Sequence, residues 1–170
     1  MDPALLWWVP VAALAVAIGN FLLNGNFGRI AGLWKWAAPR RPEVVIGVVV
    51  REGKALLVER KPNEKSKLRW QFPAGQLTDS YPDLASRLKS EILAETGVVV
   101  TIAGEIGRRR HGGTKKLCVY YACTYVSGDA VNGDPGENIG VAWVDVKEVP
   151  AYVGSDLYSK VREWLKTHGN

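Results

Sequence analysis

The 170-residue chain predicts an α+β sandwich, a mixed sheet with two helices, preceded by an apolar membrane-crossing helix. Three observations carry this prediction. After residue 43, β-branched runs recur between breaks rich in Gly, Asp and Asn. Two stretches, near residues 83–96 and 155–166, place apolar residues at helical spacing. Ala4–Leu23 is an almost unbroken apolar run of the length needed to cross a hydrocarbon core. Residues 1–42 are therefore assigned to an anchor and residues 43–170 to one compact domain, a size that suits a chain 47% hydrophobic.

In the anchor, no charged side chain lies between Pro3 and Gly28. Trp7 and Trp8 sit near one end of the span of about residues 4–23, and Trp34 and Trp36 follow the other, as interfacial aromatics do. A secretory signal peptide would want a basic segment before the apolar run. Here only Asp2 precedes it, and no convincing small-x-small cleavage site follows. Residues 27–38 (FGRIAGLWKWAA) read as an interfacial helix or the return arm of a shallow hairpin, with Arg29 and Lys35 snorkelling. Arg29, Lys35, Arg40 and Arg41 all follow the span, so the positive-inside rule places the C-terminal domain in the cytoplasm. Net charge is +5, and residues 1–42 hold four basic side chains against one acidic. A bias beside an apolar segment suits anionic lipid and argues against extended nucleic acid as a partner.

The soluble part opens with Glu43–Val50 and Ala55–Glu59, two strands joined by Arg51-Glu-Gly-Lys54 as a hairpin. A polar loop over 61–69 leads to Trp70–Gly75. Pro82 and Asp83 open a helix whose stripe is Leu84, Leu88 and Ile92, and Gly97 ends it. Val98–Ile102 and Leu117–Val126 read as strands around a basic loop, Gly107–Gly112. Val141–Val146 is a further strand, and Ser155–Lys166 an amphipathic closing helix with a Ser-Asp cap. Cys118 and Cys123 lie at odd spacing in one strand, so they point to opposite faces and remain two free thiols.

Chemistry concentrates in Gly75–Gly97. Glu91 and Glu95 stand four apart and share a helix face, a spacing at which two carboxylates can hold one hard cation such as Mg2+. The alternative is a pair of solvated helix residues. With the first hairpin (VVIGVVVREGKALLVERK), the W-x-x-P-x-G run at Trp70–Gly75 and the late GVAWVDV strand, this stretch resembles the Nudix superfamily over about residues 43–167. The resemblance implies a Nudix-type α/β/α sandwich. Glu91, Ile92, Glu95 and Gly97 match the family's box, but Ser90 replaces its arginine and Ala94 one of its glutamates. Gly75 lies one residue farther away than the family spacing, and the earlier box glutamate is missing, with Asp79 or Asp83 as stand-ins.

The resemblance implies that Glu91 and Glu95 would hold Mg2+ and be the catalytic residues of any hydrolysis. Glu137, before the late strand, is a candidate distal metal ligand or base, or a plain loop residue. Arg60, after the second strand, falls where family members often place a phosphate-facing base. Arg108, Arg109, Arg110, Lys115 and Lys116, with His111, are candidates to clamp phosphates, or form a solvated hairpin tip. Tyr120, Tyr121, Tyr125 and Trp143 are candidates to stack a nucleobase, or core.

A membrane span joined to an eroded box looks like the transmembrane-Nudix effectors of bacterial cyclic-oligonucleotide anti-phage signalling. That likeness implies an inner-membrane receptor that binds a cyclic or phosphate-rich nucleotide and drives membrane segments to assemble as a homo-oligomer. The other reading is a Mg2+-dependent hydrolase of nucleoside-diphosphate-linked substrates. A third is an assembly protein that keeps the fold without a ligand.

Overall fold

A computed structural model describes residues 41–62, 69–77 and 83–168. A division at Arg40/Arg41 separates the N-terminal stretch from this unit. The proposed span, the interfacial helix and Asp79 all lie outside the described residues. Among the described residues no helix is long and apolar enough to cross a membrane.

Seven strands form one mixed sheet: β1 (Val44–Arg51), β2 (Lys54–Arg60), β3 (Trp70–Gln71), β4 (Ala74–Gln76), β5 (Val99–Arg110), β6 (Leu117–Ser127) and β7 (Asn138–Asp145). The β1–β2 hairpin, closed by Glu52-Gly53 with Arg51 opposite Lys54, is the branch point. Beyond the turn the two strands part. β1 takes β4 on the freed edge and runs parallel to β6 on the other. β2 takes β3 on its freed edge and β7 along the other. The gap between β3 and β4 is where a cleft can form.

Strand alternation sorts β1 into two faces. Val45 and Val49 join Leu56, Val119 and Cys123 in a core beneath helix α1 (Leu84–Thr96), which contributes Leu88 and Ile92. Val48 joins Leu57, Cys118 and Tyr120 in a second core covered by α2 (Val149–Val153) and α3 (Ser159–His168) through Val149, Val153, Val161 and Leu165. Helices on both faces make an α/β/α sandwich. Leu88 and Ile92 are fully buried, each stabilising the helix by about 2–3 kcal/mol. The two cysteines sit in opposite cores as free thiols, and burial pushes both up in pKa, Cys123 to about 12.

Three expected boundaries move. The strand expected over 98–102 continues to Arg110, so the arginine run is paired with β6 and the turn is only His111–Lys116. The closing helix starts at Ser159. Ser155 and Asp156 belong to a 3-10 turn (Gly154–Asp156), because Leu157 takes an extended backbone to bury its side chain in the second core. Asp83 is the N-cap of α1, accepting from the Ala85 and Ser86 amides and from the Ser86 hydroxyl. The Ser86 hydroxyl and those amides hold its carboxyl below the usual range, so Asp83 serves the helix end rather than standing in as a box carboxylate.

Candidate functional site

Helix α1 and strand β4 form one wall of a cleft of about 480 Å3, and β5, β6 and the 3-10 turn form another. Glu91 and Glu95 reach it from α1, Arg60 from the end of β2, and Glu137 from the loop before β7. Gly75 explains how the helix lies so close to the strand. A Cβ there would stand 2.4 Å from Glu91 Cγ, so only glycine leaves room for that side chain. The glycine shifted by one residue in the sequence therefore still accommodates the box.

Each carboxylate is engaged by an arginine. Arg87, one helical turn before Glu91, forms an ion pair with it, and its Nε donates to the Gln76 carbonyl at 3.2 Å. A guanidinium that orients Glu91 is thus supplied from Arg87 at i,i+4 spacing. Arg60 pairs with Glu137 at 2.7 Å and lies 3.9 Å from Glu95. Glu95 is only 5% exposed and accepts the Ala74 amide at 3.2 Å. Burial raises its pKa to about 7, against the pull of the Ala74 amide and with a smaller push from Glu91.

These oxygens are the kind that Mg2+ takes, so donor chemistry alone permits the metal. Their arrangement does not fit it as it stands. Among the described residues no three His, Cys, Asp or Glu side chains are gathered closely enough to hold a cation. Arg60 and Arg87 sit on the oxygens a metal would need. Ala94, exposed on α1, brings no further carboxylate.

On the β5–β6 wall, strand alternation divides the arginine run. Arg109, opposite Cys118, lines the cleft with His111 and Lys116. Arg108 pairs with Glu105 through two hydrogen bonds, and Arg110 donates to the Lys115 carbonyl; neither they nor Lys115 line the cleft. Arg109 Nε donates to Tyr120 Oη at 3.1 Å, its Nη2 donates to the Asp156 carbonyl, and the rings of Tyr120 and Tyr158 flank it. Tyr120 is buried, so it orients Arg109 instead of offering an open stacking face. Tyr121, Tyr125 and Trp143 pack on the core beneath α1, away from the cleft. They are core residues, because their strand positions alternate to that face.

The structure therefore brings together Glu91, Glu95, Glu137, Arg60, Arg109, His111 and Lys116. Sequence reasoning missed Arg87 and Tyr158. The i,i+4 spacing of Arg87 and Glu91 could have found the first. Nothing local marks the second, which reaches the cleft from beyond the 3-10 turn and donates to the Arg108 carbonyl at 3.0 Å.

An α/β/α sandwich with a forked mixed sheet, whose first helix carries a glutamate pair into the cleft beside the fork, defines one fold class. The chain belongs to the Nudix family: the NUDIX domain model matches residues 39–165. Solved structures agree on the fold. A NUDIX hydrolase from Nitrosomonas europaea superposes with a TM-score of 0.59 at 20% identity, covering 75% of this chain and 87% of that one. A MutT NUDIX hydrolase from Burkholderia pseudomallei gives 0.59 at 19% identity, covering 76% and 99%. An ADP-ribose pyrophosphatase from Streptococcus suis gives 0.58 at 16% identity, covering 73% and 89%. A comparison with curated protein sequences finds no match.

Proposed function

We propose that the chain is a membrane-anchored Nudix-fold receptor for a cyclic or otherwise phosphate-rich nucleotide. One observation carries this reading: Glu91, Glu95 and Glu137 are each engaged by Arg87 or Arg60 rather than left open to a metal, while Ala94 supplies no replacement. Carboxylates covered by guanidiniums leave a metal few open oxygens, so the cleft is suited to bind a ligand without turning it over. The apolar run Ala4–Leu23 and the basic residues after it support tethering to a bacterial inner membrane, with the Nudix domain cytoplasmic. In this reading ligand binding couples to assembly of the membrane segments as a homo-oligomer, and the likeness to anti-phage effectors supplies the biological setting.

A second reading has its own observation. Three carboxylates, Glu91, Glu95 and Glu137, do line one cleft, as a Mg2+-dependent hydrolase of nucleoside-diphosphate-linked substrates would require. The two are separated with the full-length protein in detergent micelles. Cyclic dinucleotides and nucleoside-diphosphate-linked compounds are titrated by calorimetry with Mg2+ or with EDTA, and the products are followed by chromatography. The receptor reading expects submicromolar, metal-independent binding of an intact cyclic nucleotide. Metal-dependent turnover at ordinary enzyme rates, about 1 per second or faster, would overturn it.

A further inference from the structure

We infer that Arg109, supported by Lys116 and His111, forms an anion subsite on the β5–β6 wall that takes a phosphate of the bound nucleotide. The inference rests on the nucleotide-binding reading above and deepens it by locating the anion away from the box glutamates.

Among the described residues, Arg51, Arg60, Arg69, Arg87 and Arg108 each pair with a carboxylate. Arg41, Arg109, Arg110 and Arg162 pair with none, and of these four Arg109 alone is half-buried and faces the cleft. A partly desolvated cation without a counter-ion costs free energy unless something anionic meets it. Its position is nevertheless held firmly. Tyr120 Oη and the Asp156 carbonyl each accept one hydrogen bond, and two tyrosine rings flank the guanidinium at 5.8 and 5.5 Å from their centroids. Of the five N–H donors that a guanidinium carries, those two are spent on neutral acceptors. The rest form a fork of the kind that binds phosphate bidentately.

The neighbours point the same way. Lys116 Nζ is held by Gln76 Oε1 at 3.0 Å and has no carboxylate partner among the described residues. His111 Nδ1 accepts the amides of Gly113 and Thr114, both at 3.2 Å, which leaves Nε2 to carry the proton of the neutral ring as a donor. Arg109, near the end of β5, and His111 and Lys116, in the turn that follows, thus offer three sets of donors to a wall whose one nearby acid among the described residues is Asp156. A phosphate monoester, diester or pyrophosphate group satisfies all of them. The α1 wall, with Glu91 and Glu95, would repel the same group wherever Arg60 and Arg87 did not cover it.

The test titrates the full-length protein in detergent micelles with inorganic pyrophosphate and with ADP, in EDTA, by calorimetry. Arg109→Gln is expected to weaken both by about tenfold or more, and Lys116→Gln by roughly threefold to tenfold. Arg108→Gln and Arg110→Gln, which carry the same charge change outside the cleft, are expected to stay within about twofold. Wild-type failure to bind pyrophosphate at millimolar concentration would overturn the inference. So would Arg109→Gln and Lys116→Gln binding like wild type, or Arg108→Gln losing as much as Arg109→Gln. Should Arg109→Gln fail to fold, Lys116→Gln decides, since its side chain holds only Gln76. The two readings fail separately. If the wild type hydrolyses ADP with Mg2+ while Arg109→Gln loses pyrophosphate binding in EDTA, the receptor falls and the subsite stands. If nucleotide binds intact and both variants bind normally, the subsite falls and the receptor stands.

Discussion

Replacing Glu95 by Gln probes the most perturbed carboxyl of the cleft. Burial raises the Glu95 pKa from 4.5 to about 7, so the folded protein holds a proton there that the unfolded chain releases near pH 4.5. The sign follows: between those values the folded state binds more protons, and stability falls as pH rises. Integrating the two titrations gives a loss of about 2.5 kcal/mol between pH 5 and pH 8. That figure is a ceiling, because Arg60 at 3.9 Å can close on the carboxylate once it ionises. Glutamine mimics the protonated acid and can still accept the Ala74 amide. Urea unfolding of wild type and Glu95→Gln, in EDTA at several pH values, should show near-equal stability at pH 5. At pH 8 the variant should be more stable by up to about 2.5 kcal/mol. A difference that does not change with pH, or a wild type that gains on the variant as pH rises, would refute the reasoning.

Gly75→Ala places a methyl 2.4 Å from Glu91 Cγ and should lower stability by about 1–3 kcal/mol in urea unfolding, while displacing Glu91 from Arg87. Ala94→Glu restores a box carboxylate and should raise Mg2+ affinity roughly tenfold by calorimetry; unchanged affinity would show that the α1 face builds no metal site. Full-length protein should sediment with membranes after cell breakage, and deleting residues 1–38 should move it to the supernatant. A full-length chain recovered in the supernatant would sink the anchor.

Elements with a strong local period were legible. The β1–β2 hairpin, the α1 stripe with its Gly97 stop, and the opposed cysteines all follow from alternation and capping that a few neighbouring residues dictate. The ends of β5 and α3 were not. Arg108–Arg110 looks like a loop by composition, yet the β6 edge supplies hydrogen-bond partners that extend the strand through it. Leu157 looks like part of a helix, yet burial in the second core straightens the chain there.

The box shows the same division. By itself the sequence determined the family, the glutamate pair, and that Ser90 and Ala94 stand beside it, because these are local identities and spacings. Only the tertiary structure decided what surrounds each of these positions. Beside Ser90, Glu91 is met by Arg87 one turn away, whereas Ala94 is exposed and brings no carboxylate to the cleft. It also decided that Glu137 joins Glu95 through Arg60, and that of three consecutive arginines only Arg109 enters the cleft. The physical reason is that charge pairing and burial depend on distances between residues far apart in the chain. Those distances exist only once the forked sheet has closed against its helices.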